Sequence, residues 1–472
     1  MVNFLLVPLY TYNFPDEEYG VVVDFYALTA FLMVIFGYRM ETAFFRFGTE
    51  AKKRENAFST ALISIFTSTL IFAGILLLFS DFIAVNLLNY PLDFGLYVSI
   101  FALVLGFDVI AEIPFARLRL ENRAWRFAAI KLINIGVNIG LNLFFIVFCP
   151  WVLAQGVDTV GYQFVEGVYN PEFGVGYIFL SNLLASTMTI LLLLPEILRT
   201  RRQFDGSLWR RMFLYSSPLI LAGLAGIANE VIDRQLLKYL LPEADALAQL
   251  GVYGACYKLA MLMSLFTQAF RYAAEPFFFS NKENKDAKIL YADVGKYFAI
   301  VGIFAFLVIN FYLDIFQYFV GEEYREGLVV VPILLIANLF LGMYYNLSVW
   351  YKLTDRTPWG GYIMAVGAVI TVVLNVWWIP KIGYLGSAWA TLICYATVTA
   401  ISYYFGQKYY PVPYDLKRIF GYLAAAIGLY FISVFFAKQT EAVAFVCMAF
   451  NTGLLLLFCG LVYRAEKFVN HT

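Results

Sequence analysis

Charged side chains inside apolar stretches are the residues of this chain that could do chemistry. The stretch 37–47, GYRMETAFFRF, ends an apolar segment at 20–45. If this segment is one helix with 100° per residue, four polar side chains lie on one face within an arc of about 60°: Asp24, Arg39, Thr42 and Arg46. A charge at the bilayer centre costs at least ~2.5 kcal/mol, so we expect this stripe to face a lumen. The alternative is that Arg39 and Arg46 reach the headgroups from near the helix end.

A similar stripe is predicted at 250–278. Polar and aromatic side chains share one face there, namely Tyr253, Tyr257, Ser264, Thr267, Arg271 and Glu275. The spacing also permits a simpler structure, because Arg271 and Glu275 are four residues apart and can pair with each other.

Two acids lie deep in the predicted segment 95–116. Asp108 and Glu112 are one turn apart on one face, and we expect Glu112 to pair with Lys131. Asp108 lacks an obvious partner, which makes it a candidate proton or cation site; hydrogen bonding to neighbouring hydroxyl groups is the open alternative. The segment at 127–149 also carries Asn134, Asn138 and Asn142, which either bond helices together or line a cavity.

The composition requires a membrane around these residues. The 472-residue chain is 62% hydrophobic and 14% charged, with a mean hydropathy of +0.74. We therefore predict an all-α polytopic membrane protein. Thirteen apolar segments of spanning length are predicted, at 20–45, 57–79, 95–116, 127–149, 175–197, 212–240, 250–278, 290–320, 327–350, 360–379, 385–405, 419–437 and 441–463.

Alternation of charge sets the expected topology. Loops rich in Lys and Arg alternate with loops nearly free of them, and the acidic loop 13–20 is predicted to face outward. A cytoplasmic amino terminus then needs one more helix, and we expect residues 1–10 to be the shortened remainder of it. Faint similarity between 18–28 and 250–259 suggests a repeat. The predicted organisation is two six-helix bundles related by pseudo-two-fold symmetry, 1–200 and 205–405, followed by two additional helices in 406–472.

Several function classes are disfavoured by residue usage. Lys plus Arg equals Asp plus Glu, at 33 each, so nucleic acid is not an expected ligand. The five cysteines lack metal-site spacing and the one histidine is His471, so neither a metal nor a cofactor is expected. The sequence contains neither a GxSxG motif nor a glycine-rich phosphate loop, and we predict that the protein is not an enzyme.

The whole chain resembles a known family. The bacterial Wzx-type polysaccharide biosynthesis proteins are similar to it in NFLLVPLYTYNFPDEEYGVV, YRMETAFFRF, ARLRLENRAWRFAAIKLINIGVNIGLNLFF, LGVYGACYKLA and AFRYAAEPFFF. These flippases belong to a superfamily that also contains MATE-type multidrug exporters. The resemblance implies two helix bundles around a cavity that opens alternately to each side of the bacterial inner membrane. It implies transport of an undecaprenyl-pyrophosphate-linked oligosaccharide, possible contact with polysaccharide assembly proteins, and no enzymatic cofactor.

The resemblance also suggests roles for particular residues. Arg39, Arg46 and Arg271 are expected to attract the pyrophosphate, because a dianionic group needs fixed positive charge once it leaves water. Tyr38, Tyr253 and Tyr257 are expected to stack on sugar rings. A proton or sodium gradient would drive the cycle through the candidate ion-coupling carboxyl groups, which are Asp108, Asp24 and Glu112.

Three other functions stay open from the sequence. A cation-coupled exporter of the MATE type would need net negative charge in its cavity, whereas the segment 20–45 and its end contribute two arginines. A membrane glycan-assembly enzyme would need catalytic side chains in an outer loop, and the longest such loop, 150–175, has acids but lacks Lys, Arg and His. The third is a non-catalytic scaffold in a glycan assembly complex.

Overall fold

The computed structural model describes residues 2–199, 203–440 and 444–469, and every regular element within them is helical. His471 lies outside the described residues. The fold class predicted from composition is therefore confirmed: in the described residues, thirteen helices are long and apolar enough to cross a membrane. A helix satisfies its own backbone hydrogen bonds, which is the requirement that a bilayer places on a spanning segment.

The chain divides into two compact units, residues 1–231 and 232–472. The first unit starts with two short helices before its membrane-spanning elements. Its helices are α1 Val2–Leu5, α2 Val7–Asn13, α3 Asp16–Gly37, α4 Met40–Phe47, α5 Ala51–Leu78, α6 Ser80–Phe82, α7 Gly95–Leu120, α8 Ala124–Leu143, α9 Cys149–Gln155, α10 Tyr162–Val168, α11 Gly176–Leu198 and the first part of α12 Gly206–Leu240. Short π-helices at Ile83–Leu87 and Phe144–Phe148 and 3₁₀ turns at Leu92–Phe94 and Pro171–Phe173 connect them.

The second unit begins within α12. It continues through α13 Glu243–Ser280, α14 Ala287–Phe311, α15 Leu313–Phe316, α16 Val331–Leu347, α17 Val349–Leu353, α18 Pro358–Ile382, α19 Tyr384–Tyr409, α20 Leu416–Thr440 and α21 Ala444–Val469. Two 3₁₀ segments, Gln317–Phe319 and Glu322–Val330, precede α16. The division into units is one of packing, so the predicted grouping by repeat into 1–200, 205–405 and 406–472 stays a prediction.

An aspartate begins the long helix α12. The Asp205 carboxylate accepts hydrogen bonds from the Leu208 backbone N–H at 3.0 Å and the Ser207 hydroxyl at 2.8 Å. The bond from Leu208 holds the pKa of Asp205 below its ordinary value, because it favours the charged form. The loop before it is fixed to α5, where Ser59 donates to the Gln203 carbonyl at 2.7 Å. Asp205 therefore acts as the N-cap that positions the first turns of α12.

A buried carboxylate attaches the last two helices to the second unit. Glu466 of α21 lies 2.8 Å from the Lys296 ammonium of α14 and accepts a hydrogen bond from the Tyr422 hydroxyl of α20 at 2.7 Å. Arg418 lies 3.7 Å from the same carboxylate. The Lys296 side chain is 10% exposed and that of Glu466 16%, so neither charge is well hydrated. The pair therefore depends on its partners to remain charged.

This ion pair yields a stability prediction. Glu466→Gln keeps the acceptor for Tyr422 but leaves Lys296 with a weaker partner. Leaving a buried charge without any partner costs about 3–5 kcal/mol; Lys296 keeps Asp293 at 3.5 Å, so the expected cost lies below that range. The melting temperature of the detergent-purified protein should fall accordingly. The double variant Lys296→Met, Glu466→Gln should recover most of the loss; if it melts as low as the single variant, the ion pair is not the cause.

Candidate functional site

The helix that carries the predicted cationic stripe is interrupted at Tyr38 and Arg39. Helix α3 ends at Gly37 and α4 begins at Met40, and the two residues between them have φ angles of 31° and 55°. L-residues rarely adopt this left-handed conformation, so surrounding contacts must hold it. The Tyr38 hydroxyl is 2.6 Å from the Ser64 hydroxyl, which accepts a hydrogen bond from the Trp209 indole at 2.7 Å. These contacts fix the interruption to α5 and α12.

The interruption sends consecutive side chains into two different compartments. Arg39 lines a polar cavity of about 280 Å³ together with Glu41, Thr42 and Glu112. Tyr38 instead lines a larger groove of about 830 Å³ between α3, α5 and α12. We call these the polar cavity and the apolar groove. All lining residues of both belong to the first unit.

Charge in the polar cavity is only partly compensated. Glu41 pairs with Arg119, so its charge is already balanced. Among the residues that the structure describes, neither Arg39 nor Glu112 has an ion pair within 4.0 Å. The cavity thus contains one arginine and one carboxyl group whose charges remain available to a ligand or a proton.

Two glycines make room for these side chains. A Cβ atom on Gly37 would lie 3.0 Å from the Glu112 carboxylate, and one on Gly223 of α12 would collide with the Arg39 guanidinium. The absence of a side chain at Gly223 therefore lets the Arg39 guanidinium approach α12 in its present rotamer. The sequence reasoning missed both this contact and the Glu41–Arg119 pair, because each joins segments that are far apart in the chain.

The prediction of one continuous polar stripe along residues 20–46 is wrong. Arg39 and Thr42 do line one cavity, but Asp24 is fully buried and accepts a hydrogen bond from the Tyr90 hydroxyl at 2.8 Å. Arg46 is exposed, and its guanidinium lies 4.3 Å from the centroid of the Tyr215 ring. The 60° arc assumed an uninterrupted helix, and the interruption before α4 changes the direction of every later side chain.

Asp108 has the hydroxyl partner that was one of the two sequence alternatives. The Ser186 hydroxyl of α11 donates to the Asp108 carboxylate at 2.7 Å, and Asp108 is half-buried. The predicted pair between Glu112 and Lys131 is not formed among the described residues. The Lys131 ammonium lies 4.2 Å from the Phe115 ring centroid instead, which stabilises the cation through the ring electrons.

The asparagines of α8 form a hydrogen-bonded network in the first unit. Asn138 donates to Asn182 of α11 at 2.6 Å, and Asn142 donates to Asn138 at 2.9 Å. The network extends outward through Tyr10, whose hydroxyl donates to Asn142 at 3.1 Å, and through Tyr26, which accepts from Asn182 at 2.6 Å. Of the two roles that the sequence left open, these contacts match the bonding of helices to one another.

This network predicts a graded loss of stability. Asn138→Leu removes the interhelical bond to Asn182 and also the bond from Asn142 on the same helix, whereas Asn134→Leu removes one interhelical bond, to Thr189 at 3.0 Å. Interhelical hydrogen bonds in membranes are worth roughly 0.6–2 kcal/mol each. Thermal melting in detergent should therefore rank the wild type above Asn134→Leu, and Asn134→Leu above Asn138→Leu. Equal melting temperatures for all three would show that the network does not stabilise the unit.

In the second unit, all three predicted site residues are engaged by neighbours. Tyr253 is fully buried and donates to Asp233 at 2.6 Å, while the Tyr257 ring lies 4.3 Å from the Arg234 guanidinium. Burial leaves Tyr253 no free ring face for a sugar in this conformation. Arg271 lies 3.7 Å from Glu275 and 5.0 Å from the Tyr345 ring centroid.

The Arg271–Glu275 pair has an additional cation. Lys352 of α17 lies 2.5 Å from the Glu275 carboxylate. Glu275 is therefore shared between two cations, and the local balance is net positive. The spacing of 271 and 275 predicted their pairing, but Lys352 was visible only from the folded structure.

The fold of this chain, but not its sequence, matches known proteins. No family model matches the sequence, and no curated protein matches it either. Solved structures do match. A lipid II flippase MurJ in an inward closed conformation has a TM-score of 0.69 at 12% identity, covering 96% of this chain and 98% of that chain.

Two multidrug transporters are also similar in structure. An inward-facing MATE family transporter of the MOP superfamily has a TM-score of 0.63 at 13% identity, over 86% of this chain and 93% of its own. The MATE multidrug transporter DinF-BH has a TM-score of 0.58 at 16% identity, over 87% of this chain and 92% of its own. The chain thus has the fold of membrane transporters and flippases. That fold is shared by the lipid II flippase and the MATE transporters alike.

Proposed function

We propose that this protein is a flippase that moves an undecaprenyl-pyrophosphate-linked oligosaccharide from the inner to the outer leaflet of the bacterial inner membrane. The observation that carries the proposal is Arg39, a cation without an ion pair among the described residues, at the wall of a polar cavity between membrane-spanning helices. An accessible guanidinium at the wall of such a cavity is suited to a phosphate, which it can bind through two parallel hydrogen bonds. The likeness to a lipid II flippase supports a lipid-linked substrate.

The other proposed substrate residues contribute in different ways. Arg46 and Arg271 are proposed to guide the pyrophosphate, because the guanidinium groups of both lie beside aromatic rings and are at least partly exposed. Tyr253 and Tyr257 are proposed to contact sugar, which for the buried Tyr253 requires a conformation that opens around α13. Tyr38, whose hydroxyl is bonded to Ser64 and which lines the apolar groove, is not placed to do so in this conformation and is proposed to contact the lipid end of the substrate instead. Alternating access supplies such a change, since the binding site must face each side of the membrane in turn.

Among the three candidate coupling residues, Glu112 is the best placed. It shares the polar cavity with Arg39, whereas Asp24 is closed off by Tyr90 and Asp108 is bonded to Ser186. A proton or sodium ion bound at Glu112 would cancel the charge that otherwise competes with the substrate for Arg39. We propose that ion binding and substrate binding are coupled through this shared space.

The topology and partners belong to the same proposal. We propose that the loops rich in Lys and Arg lie in the cytoplasm. Polysaccharide assembly proteins are the proposed neighbours in the membrane.

A cation-coupled multidrug exporter of the MATE type is the second candidate. The Glu112 carboxylate in the polar cavity and the similarity to MATE transporters favour it. A deletion strain distinguishes the two: increased sensitivity to cationic drugs with normal surface polysaccharide would favour the exporter, and the reverse would favour the flippase.

Charge reversal at Arg39 tests the flippase proposal. Charge-assisted hydrogen bonds contribute about 1.5–3 kcal/mol each, so Arg39→Glu should lower export more than tenfold. Surface polysaccharide should be lost while lipid-linked repeat units accumulate at the inner leaflet and the abundance of the protein stays normal.

Arg210→Glu is the matched control, because Arg210 is an exposed arginine of the same unit that does not line the polar cavity. It should leave polysaccharide at the wild-type level. Normal polysaccharide in the Arg39→Glu strain would remove Arg39 from the mechanism.

Neutralising Glu112 tests the coupling. In proteoliposomes, an imposed proton or sodium gradient should accelerate transport by the wild type but not by Glu112→Gln, because the neutral amide can neither take up a proton nor pair with a sodium ion as a carboxylate does. Asp108→Asn serves as the comparison and should keep its response to the gradient. If Asp108→Asn loses the response and Glu112→Gln keeps it, the coupling residue is Asp108.

A further inference from the structure

The apolar groove has walls suited to hydrocarbon. Its lining includes Ile35, Tyr38, Ser64, Phe72, Trp209 and Phe213, all from the first unit. The polar atoms of Tyr38, Ser64 and Trp209 are hydrogen-bonded to one another, at 2.6 and 2.7 Å. With these polar atoms already paired, the groove presents mainly carbon to an occupant.

The groove is accessible from the surface of the membrane-spanning helices. Ile35 and Ile71 at its wall are 43% and 55% exposed, and both belong to helices long and apolar enough to cross a membrane. Its volume of about 830 Å³ falls within the ~300–1,000 Å³ range of pockets that bind drug-sized molecules. It can therefore hold a stretch of a long lipid chain, with the remainder in the bilayer.

The groove and the polar cavity are lined by consecutive residues. Tyr38 lines the groove and Arg39 lines the cavity, and adjacent Cα atoms are about 3.8 Å apart. A lipid phosphate has the same arrangement, because its hydrocarbon chain is joined to its anionic group by one ester oxygen. Arg39, which has no ion pair among the described residues, lies on the cavity side of this residue pair. On the groove side, the polar atoms of Tyr38, Ser64 and Trp209 are already hydrogen-bonded to one another.

We propose that the apolar groove holds the phosphate-proximal part of the substrate's polyprenyl chain while its pyrophosphate contacts Arg39. This inference rests on the proposed function and adds the position of the tail. The interruption at Tyr38 and Arg39 is then the point where head and tail separate. Substrate with a short chain, or none, would leave the groove empty and bind more weakly.

Photocrosslinking tests the position of the tail directly. A photoreactive benzoylphenylalanine is placed at Thr67, an exposed residue that lines the groove, or at Leu70, an exposed residue of the same helix that does not. Purified protein is mixed with radiolabelled undecaprenyl phosphate. Labelling at Thr67 should exceed that at Leu70 at least fivefold, and unlabelled undecaprenyl phosphate should compete better than phosphatidylglycerol. Equal labelling, or equal competition by phosphatidylglycerol, would mean that only ordinary membrane lipid occupies the groove.

A groove-filling variant gives the matching result in cells. Thr67→Trp should lower surface polysaccharide at least tenfold at normal protein abundance, whereas Leu70→Trp should leave it unchanged. Ser68→Leu is a smaller filling substitution that should show a partial loss, in case the tryptophan variant fails to accumulate.

The outcomes separate this inference from the proposed function. Normal export in Arg39→Glu, with no binding of undecaprenyl phosphate by the wild type, overturns both. Loss of export in Arg39→Glu, with normal export in Thr67→Trp and equal labelling at Thr67 and Leu70, overturns the groove alone.

Discussion

Two consecutive residues in a left-handed conformation are costly, and the first unit is organised around such a pair, Tyr38 and Arg39, directly after the spanning helix α3. The surrounding protein must hold this conformation and satisfy the backbone groups that the interruption releases. Here the Arg39 carbonyl accepts from the backbone N–H of Thr42 at 3.1 Å, which starts α4 at once. Hydrogen bonds through Ser64 hold Tyr38, and Gly223 admits the Arg39 side chain. Three helices thus support two residues in a conformation that L-amino acids otherwise avoid.

Several other arginines of the same unit are paired with carboxylates, unlike Arg39. Arg117 pairs with Glu55 and Glu121, Arg119 with Glu41, and Arg126 with Glu196. Each of these cations is neutralised by a carboxylate from another turn or helix. Arg39 has no ion pair within 4.0 Å among the described residues, although Glu41 and Glu112 line the same cavity. Its charge is thus available at the cavity wall.

The sequence predicted the helices well and the orientation of their side chains less well. Thirteen spans follow from hydropathy, because a bilayer imposes the same length and composition on each. The direction in which each side chain points depends on whether the helix is continuous. Tyr38 and Arg39 do not signal a left-handed conformation in the sequence, since neither residue is glycine. Asp24 and Arg46 were therefore placed wrongly relative to Arg39. The Arg271–Glu275 pair was predictable because it is local, whereas Lys352 and Gly223 reach their partners through tertiary contacts that single-sequence patterns do not encode.

The order in which the chain is synthesised determines when the Glu466–Lys296 pair can form. The ribosome makes Glu466 170 residues after Lys296 (466 − 296), so α14 enters the membrane with a cation whose main partner does not yet exist. Asp293, one turn away and 3.5 Å from the ammonium in the finished protein, offers an interim partner. Arrival of α21 then completes the set of bonds. The contacts around Lys296 are consequently complete only after α21 has inserted, so the second unit gains part of its stability at the last step of its synthesis.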